Sequence, residues 1–200
     1  WRNSDDGFVR DVHVSKLIID PNNNNVFYAT TQGATEYTDK VGEGAGVFKS
    51  TDRGNNWTQI NNGLDSLETN ILTVDPNDSE TLYLGTDDDG VYKSTDGGES
   101  WKKLNVSSLS KSFGVGDIIV DPQNSNNIYI GTVDYFRLSE SRGVLGDFGV
   151  YKSNDGGTTW EEFNSGLKHL GVFSLELSEE NRILYAGTRA GGVYWISLDD

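Results

Sequence analysis

Hydrophobic residues along this chain occur in short runs, each bounded by Asn, Asp, Gly or Pro. The runs recur in four copies in the same order. The first run of each copy occupies residues 14–21, 70–76, 116–122 and 172–178, and the second occupies residues 26–30, 82–86, 128–132 and 184–188. Both are rich in β-branched and aromatic residues, which is typical of β-strands, and no stretch has the 3.6-residue period of an amphipathic helix. The pattern predicts an all-β chain built from repeats.

A third apolar run, at residues 46–50, 90–94, 149–153 and 192–197, leads in three copies into a polar octet, Ser-x-Asp-x-Gly-x-x-Trp. The fixed positions of the octet are Ser50, Asp52, Gly54 and Trp57, then Ser94, Asp96, Gly98 and Trp101, then Ser153, Asp155, Gly157 and Trp160. Glycine turns the chain without steric cost, and the Ser and Asp side chains accept hydrogen bonds from nearby amides. We interpret the octet as a structural hairpin turn whose Trp starts a fourth strand, and not as a catalytic or metal site.

The spacing of the octets gives the length of the repeat. Trp57 and Trp101 are separated by the length of a four-stranded propeller blade, ~40–50 residues, and the interval from Trp101 to Trp160 contains an insertion. These residues resemble the Asp-box, or bacterial-neuraminidase, repeat of sialidases, xyloglucanase-type glycoside hydrolases, sortilin-type receptors and photosystem II assembly factors. The resemblance covers the whole chain and implies a β-propeller of four-stranded antiparallel blades. The four repeats are expected at about residues 9–57, 58–101, 102–160 and 161–200.

The two ends of the chain are out of frame with the repeat by one strand. Trp1–Phe8 aligns with Trp57–Leu64, which is a fourth strand and its exit, and Ser197–Asp200 begins another octet. Residues 1–8 are therefore expected to complete the last or a preceding blade, which would cover an open sheet edge. Three arrangements agree with this frame: a closed four-bladed ring, an arc of a larger ring and a ring built by two chains. Further blades of the same or a second chain are thus expected partners.

Composition limits the partners and the location. The 200 residues carry a formal net charge of −15 and no Cys, which excludes a disulfide framework and a thiolate metal site. The negative charge argues against nucleic acid, and no apolar run is long enough for membrane insertion. The family resemblance implies an exported protein, secreted or on the surface of a bacterial or archaeal cell.

Two of the four repeats carry an insertion between the second and third strands, at residues 31–44 and 133–147. In the propellers that this chain resembles, that connection opens on the face that holds the active site of the family's enzymes. The insertions contain side chains of the types enriched in binding surfaces: Glu36, Tyr37, Asp134, Tyr135, Phe136, Arg137 and Glu140. We expect these residues to form the binding site, although the same residues could simply cover a sheet edge.

No catalytic motif can be assembled from the sequence. Glycoside hydrolysis needs two opposed carboxylates, and a chain with 31 acidic residues contains such pairs by chance. Phe136-Arg137-Leu138 lacks the Pro of the sialidase signature, so sialidase activity is not expected. No cofactor is expected either; Ca²⁺ at the Asp87–Asp89 run or at Asp199–Asp200 is the alternative. The sequence favours a non-enzymatic module that binds a protein or a glycan, and the alternative is part of a glycoside hydrolase of the xyloglucanase type.

Overall fold

The computed structural model describes residues 6–8, 12–33, 44–106, 113–134 and 148–199. These residues form fifteen strands in four antiparallel sheets, and no helix occurs among them. Each sheet is one repeat and is called a blade below. The predicted all-β fold is therefore confirmed. The chain divides into two compact units, one of Trp1–Thr86 with Tyr92–Lys103 and the other of Asp87–Val91 with Leu104–Asp200.

Blades 1 and 2 each contain four strands in sequential order. Blade 1 consists of β1 (Val12–Asp20), β2 (Asn23–Gly33), β3 (Val47–Ser50) and β4 (Thr58–Gln59). Blade 2 consists of β5 (Thr69–Asp75), β6 (Asp78–Thr86), β7 (Val91–Ser94) and β8 (Lys102–Lys103). An Asp closes the first turn of each blade, because the amides of Asn22 and Asn77 donate to the Asp20 and Asp75 carboxylates at 2.8 and 2.9 Å. These Asx turns explain why each first run ends in an acid.

Blade 3 also has four strands, whereas blade 4 has three among the described residues. Blade 3 consists of β9 (Gly114–Val120), β10 (Ile128–Val133), β11 (Val150–Ser153) and β12 (Glu161–Glu162). Blade 4 consists of β13 (Val172–Ser178), β14 (Ile183–Thr188) and β15 (Gly192–Ser197). The last strand of blade 4 is thus β15, the counterpart of β3, β7 and β11.

The core of the first unit lies between blades 1 and 2. Tyr28 and Val47 of blade 1 pack in one cluster with the side chains of β5, β6 and β7 and with Trp101. On β5 the contacts come from Leu72 and Val74, which alternate along the strand and so point to the same face. Burial of each such side chain contributes about 1.5–3 kcal/mol, so the contact between the two blades contributes substantially to the stability of this unit.

A lysine covers the buried tyrosine on the outer part of each of the first three blades. The ammonium groups of Lys49, Lys93 and Lys152 lie 5.5, 5.2 and 5.8 Å from the ring centroids of Tyr28, Tyr83 and Tyr129. Burial raises the pKa of the Tyr129 hydroxyl to about 12, and the nearby Asp121 adds to that rise. The lysine stem completes the packing, and its charge faces an uncharged ring.

An ion pair ties the inner turn of blade 3 to blade 4 in the second unit. Arg182 donates from Nη1 and Nη2 to the two oxygens of Asp121 at 3.0 and 2.6 Å, and the Asp121 side chain is fully buried. Burial alone would raise the pKa of Asp121, but the hydrogen bonds from Arg182, the Gln123 amide and the Asn127 side chain, together with the Arg182 charge, outweigh it and leave the pKa lowered. The bidentate geometry gives this contact both strength and direction.

Blade 4 departs from the repeat by one residue. Ile196 pairs with Leu184, in the position where Ser153 of blade 3 pairs with Ile128. The Ser197 hydroxyl accepts a hydrogen bond from the Asp199 amide at 3.3 Å, as the serines of the octets do, but it lies one residue later in the register. An apolar residue therefore occupies the serine position of the octet in this blade.

Candidate functional site

The three octets are closed by their own hydrogen bonds. In the first, the Ser50 hydroxyl donates to Asp52 Oδ1 at 2.8 Å and accepts from the Gly54 amide at 2.9 Å, and Asp52 accepts from the Asn56 amide at 2.9 Å. The same three contacts recur in the second octet, at 2.7 to 2.9 Å, and in the third, at 2.8 to 2.9 Å. Both oxygens of each carboxylate accept hydrogen bonds within the turn, which agrees with the structural interpretation of the octets.

The carboxylates of the octets are ionised far below neutral pH. Hydrogen bonds from the Asn56 side chain and amide and from Ser50 hold the pKa of Asp52 at about 2, below the ordinary 3.8. Hydrogen bonds from Ser100 and Ser94 hold the pKa of Asp96 at about 2 as well. A general acid needs a raised pKa, so these carboxylates are unsuited to proton donation near neutrality.

The predicted binding loops lie at the other end of each blade, at the connection between its second and third strands. Glu36, Tyr37, Tyr135, Phe136, Arg137 and Glu140 fall outside the described residues. Asp134, the remaining predicted site residue, is described and is 3% exposed. The structure also describes the two ends of each insertion, where the loops join the sheets.

A buried threonine fastens the base of each insertion. The Thr31 hydroxyl accepts a hydrogen bond from the Ala45 amide and donates to the Gly46 carbonyl, both at 2.9 Å. In blade 3, the Thr132 hydroxyl accepts from the Phe148 amide at 3.0 Å and donates to the Gly149 carbonyl at 2.9 Å. Both threonines are fully buried. Each insertion therefore leaves and re-enters its sheet at a defined point.

An asparagine from the segment after the fourth strand holds the exit of each insertion. Asn61 accepts from the Val47 amide at 2.8 Å and donates to the Ala45 carbonyl at 2.9 Å. Asn164 accepts from the Val150 amide at 2.8 Å and donates to the Phe148 carbonyl at 3.0 Å. This contact is close enough to require glycine in between, because a Cβ on Gly46 would lie 2.3 Å from the Asn61 Oδ1.

A carboxylate bridges the two ends, or neck, of the first insertion. Glu68, which precedes β5, accepts hydrogen bonds from the Gly33 amide at 2.9 Å and from the Gly44 amide at 2.7 Å. Gly33 lies near the start of the insertion and Gly44 is its last residue. One side chain of blade 2 thus closes the loop of blade 1.

An arginine holds the start of the second insertion. Arg189, in the short turn of blade 4, donates from its guanidinium to the Asp134 carbonyl. The Arg189 guanidinium also lies over the Phe173 ring at 5.3 Å, and its amide donates to the Gly171 carbonyl at 2.8 Å. The buried Asp134 is therefore part of the base of the loop.

Sequence reasoning did not find Thr31, Thr132, Asn61, Asn164, Glu68 or Arg189. One signal was present, since a Thr lies at or close to the end of the second strand in all four copies, at Thr31, Thr86, Thr132 and Thr188. Thr188 makes the same pair of contacts in a blade without an insertion, with the Gly191 amide at 3.1 Å and the Gly192 carbonyl at 3.0 Å. The two threonine hydrogen bonds therefore form at this connection both with and without an insertion.

The described part of the chain contains no group of three or more His, Asp or Glu side chains that could hold a metal ion. The same residues include no helix with the length and hydropathy of a membrane-spanning segment.

The model of the family described as "Sortilin, neurotensin receptor 3" matches residues 45–194, three quarters of the chain. The chain belongs to the sortilin/Vps10 family. The matched region begins at the exit of the first insertion and includes all three octets. The family match and the propeller structures below confirm an Asp-box β-propeller with four repeats in this chain. A search of curated protein sequences gives no match.

Solved structures with the same fold include two glycoside hydrolases. The Niastella koreensis GH74 enzyme is 26% identical over 93% of this chain and 29% of its own, with a TM-score of 0.66. An ancestral GH74 enzyme is 25% identical over 96% of this chain and 23% of its own, with a TM-score of 0.71. The chain thus spans about a quarter of the length of these enzymes.

A third similar structure is PorZ of Porphyromonas gingivalis, described as a bacterial surface component of the type-IX secretion system. It is 19% identical over 90% of this chain and 25% of its own, with a TM-score of 0.62. At this identity the likeness concerns the fold alone.

Proposed function

We propose that this chain is a non-enzymatic binding or scaffold module of an exported bacterial or archaeal protein, and that it recognises a protein or a glycan through its two insertions. The observation that carries the proposal is the identical fastening of both insertion bases, by Thr31 with Asn61 and by Thr132 with Asn164. Fixed loop ends lower the entropy lost when a loop becomes ordered on a partner.

The charge of the chain and the residue types of the insertions suggest the kind of partner. Tyr37, Tyr135 and Arg137 are of the types that dominate binding hot spots, and Glu36 and Glu140 supply acceptors for sugar hydroxyls or basic side chains. A net charge of −15 favours a neutral or basic partner and disfavours nucleic acid. Location outside the cell is supported by the family match.

The second candidate is a segment of a polysaccharide-degrading propeller. It is favoured by one observation, the 25–26% identity with two GH74 enzymes over more than nine tenths of this chain. In that case two carboxylates would have to face one another across a cleft, about 5–9.5 Å apart.

One pair of assays separates the two. The chain is applied to a printed glycan array and is incubated with xyloglucan while reducing ends are measured. We expect no release of reducing sugar, and any binding on the array should be weakened by Y135A/R137A and by E36A/Y37A with unchanged melting temperature. Release of reducing sugar that disappears on substitution of a single acidic residue would contradict the proposal and establish the hydrolase.

A further inference from the structure

The first strand of every blade contains a β-bulge at the same place, beside the rim from which the insertions leave. At this point two residues of the first strand face one residue of the second. The bulged residues are Ser15, Asn70, Gly116 and Phe173, one in each blade. A β-bulge redirects a side chain, and bulges are frequent next to active sites. The same framework therefore presents a different side chain in each of the four blades.

Blade 4 presents the largest of these side chains. Phe173 is 41% exposed, and Ser15, Asn70 and Gly116 are also partly exposed, so the bulged position reaches the surface in every blade. The bulge of blade 3 places no side chain over the Phe173 ring, since its residue is a glycine that lies against blade 4. A Cβ on Gly116 would lie 2.2 Å from the Val172 carbonyl oxygen and 3.0 Å from the Phe173 Cα. Phe173 is thus an aromatic surface on the rim of the second unit.

A guanidinium group is held against this ring. The Arg189 guanidinium lies 5.3 Å from the centroid of the Phe173 ring and donates to the Asp134 carbonyl. That hydrogen bond uses one of its five N–H donors, and the group has no other acceptor among the described residues. The planar cation is therefore fixed in place while it keeps donors for a ligand. An exposed ring beside such a cation can receive an apolar face and a carboxylate together.

The exposed basic groups on this rim oppose the net charge of −15. Arg189 and Lys168 are both exposed. Lys168 belongs to the segment before β13, and the Arg189 amide binds this segment through the Gly171 carbonyl at 2.8 Å. At physiological ionic strength charges more than about 8 Å away are largely screened. The local positive charge therefore governs which ligand this surface attracts.

Two acids of blade 3 border the surface, and neither is a free exposed carboxylate. Asp134 is buried. The Asp117 carboxylate accepts hydrogen bonds from the Ile118 and Leu175 amides at 2.9 and 2.8 Å. The exposed acid of β13, Glu176, lies three positions beyond Phe173 along the strand. The cations beside Phe173 are thus not neutralised by the acids of blade 3.

We propose that the surface formed by Phe173, Arg189 and Lys168 binds a uronic acid residue of an acidic polysaccharide. The C–H face of the sugar ring stacks on Phe173, the carboxylate accepts hydrogen bonds from Arg189, and Lys168 adds attraction for the chain. This inference rests on the proposed function, because it names a ligand class for the same rim. A polysaccharide is favoured over a protein because protein hot spots lie in packed pockets surrounded by other contacts, whereas here a single ring lies among charges.

Isothermal titration calorimetry with hexagalacturonate tests the ligand class. The matched ligand is the fully methyl-esterified hexasaccharide, which keeps the sugar rings and removes the charge. We expect the ester to bind about tenfold more weakly or not at all, and the affinity for hexagalacturonate to fall as NaCl is raised from 50 to 500 mM. Equal binding of the two hexasaccharides, or no binding of hexagalacturonate, would overturn the inference.

Substitutions outside the insertions test the surface. F173A should weaken binding about tenfold through loss of the stacked ring, and F173Y should retain it. K168E should weaken binding about threefold. K102E makes the same charge change at an exposed lysine of β8, in the other unit, and should leave binding unchanged. The melting temperature of each variant shows whether it is folded.

The outcomes separate this inference from the proposed function. Equal losses with K168E and K102E, or full binding by folded F173A, would overturn the inference. If F173A and K168E bind normally while Y135A/R137A does not, the ligand lies on the insertion, so the inference fails and the proposed function stands. The same holds if hexagalacturonate does not bind while other ligands are lost in Y135A/R137A.

Discussion

The Glu68 carboxylate accepts a hydrogen bond from the Gly44 amide at 2.7 Å, and this contact closes the neck of the first insertion. Its second oxygen holds the Gly33 amide, so a single side chain joins both ends of the loop. The loop therefore starts and ends at a fixed place on the rim of the blade.

Removal of this side chain should loosen the neck. In E68A, exchange of the Gly33 and Gly44 amides with deuterium should accelerate by about 10- to 100-fold, because hydrogen bonds to a charged acceptor contribute about 1.5–3 kcal/mol. The amide of Phe148, at the base of the other insertion, serves as the internal control. Unchanged exchange at Gly33 and Gly44 would mean that the contact does not hold the loop.

The buried threonine at the base should matter for stability. T31V keeps the shape of the side chain but leaves the Ala45 amide without its acceptor, so we expect the free energy of unfolding to fall by about 1–3 kcal/mol. T31S retains the hydroxyl and should lose less. Urea denaturation of the two variants at one pH gives the comparison, and a loss in T31V no larger than that in T31S would contradict the role given to the hydroxyl.

Removal of one partner of the Arg182–Asp121 ion pair should strongly lower the free energy of unfolding of the second unit. R182M leaves the fully buried Asp121 carboxylate unpaired, and loss of one partner of a buried pair typically costs about 3–5 kcal/mol. The double variant D121N/R182M removes the charge as well and should recover part of that loss. A loss below about 1 kcal/mol in R182M would show that water compensates the carboxylate.

Acid should weaken the fold through the octets. The pKa of Asp52 and of Asp96 is about 2 in the folded chain, below the ordinary 3.8, so their contribution to stability is complete above about pH 5 and is lost as the pH falls through 3.8 towards 2. D96N cannot titrate, so the urea midpoint of this variant should depend less on pH between 4 and 2 than that of the parent. Identical slopes in that window would contradict the assignment.

The parts of the fold that sequence reasoning predicted are local. Strands such as Leu82–Thr86 and turns such as Ser94–Trp101 can be predicted because alternation and turn residues lie within a few positions of each other. The partners of Thr31, Glu68 and Arg189 lie 14 to 55 positions away, and no local pattern marks such contacts. The shift in blade 4 was also hidden, because Ser197 and Asp199 have the spacing of an octet while strand pairing places Ile196 in the serine position.

The central claim is that recognition belongs to the insertions, and the chain provides its own matched control for it. Blade 2 joins the same two strands with the short segment Asp87–Asp89. In one variant residues 32–45, and in another residues 133–148, are replaced by a copy of that segment. The measurement is binding to the printed glycan array and to an array of bacterial surface proteins. We expect at least one variant to lose the ligands of the parent chain while its melting shows a folded protein. Full retention of those ligands by both folded variants would contradict the account.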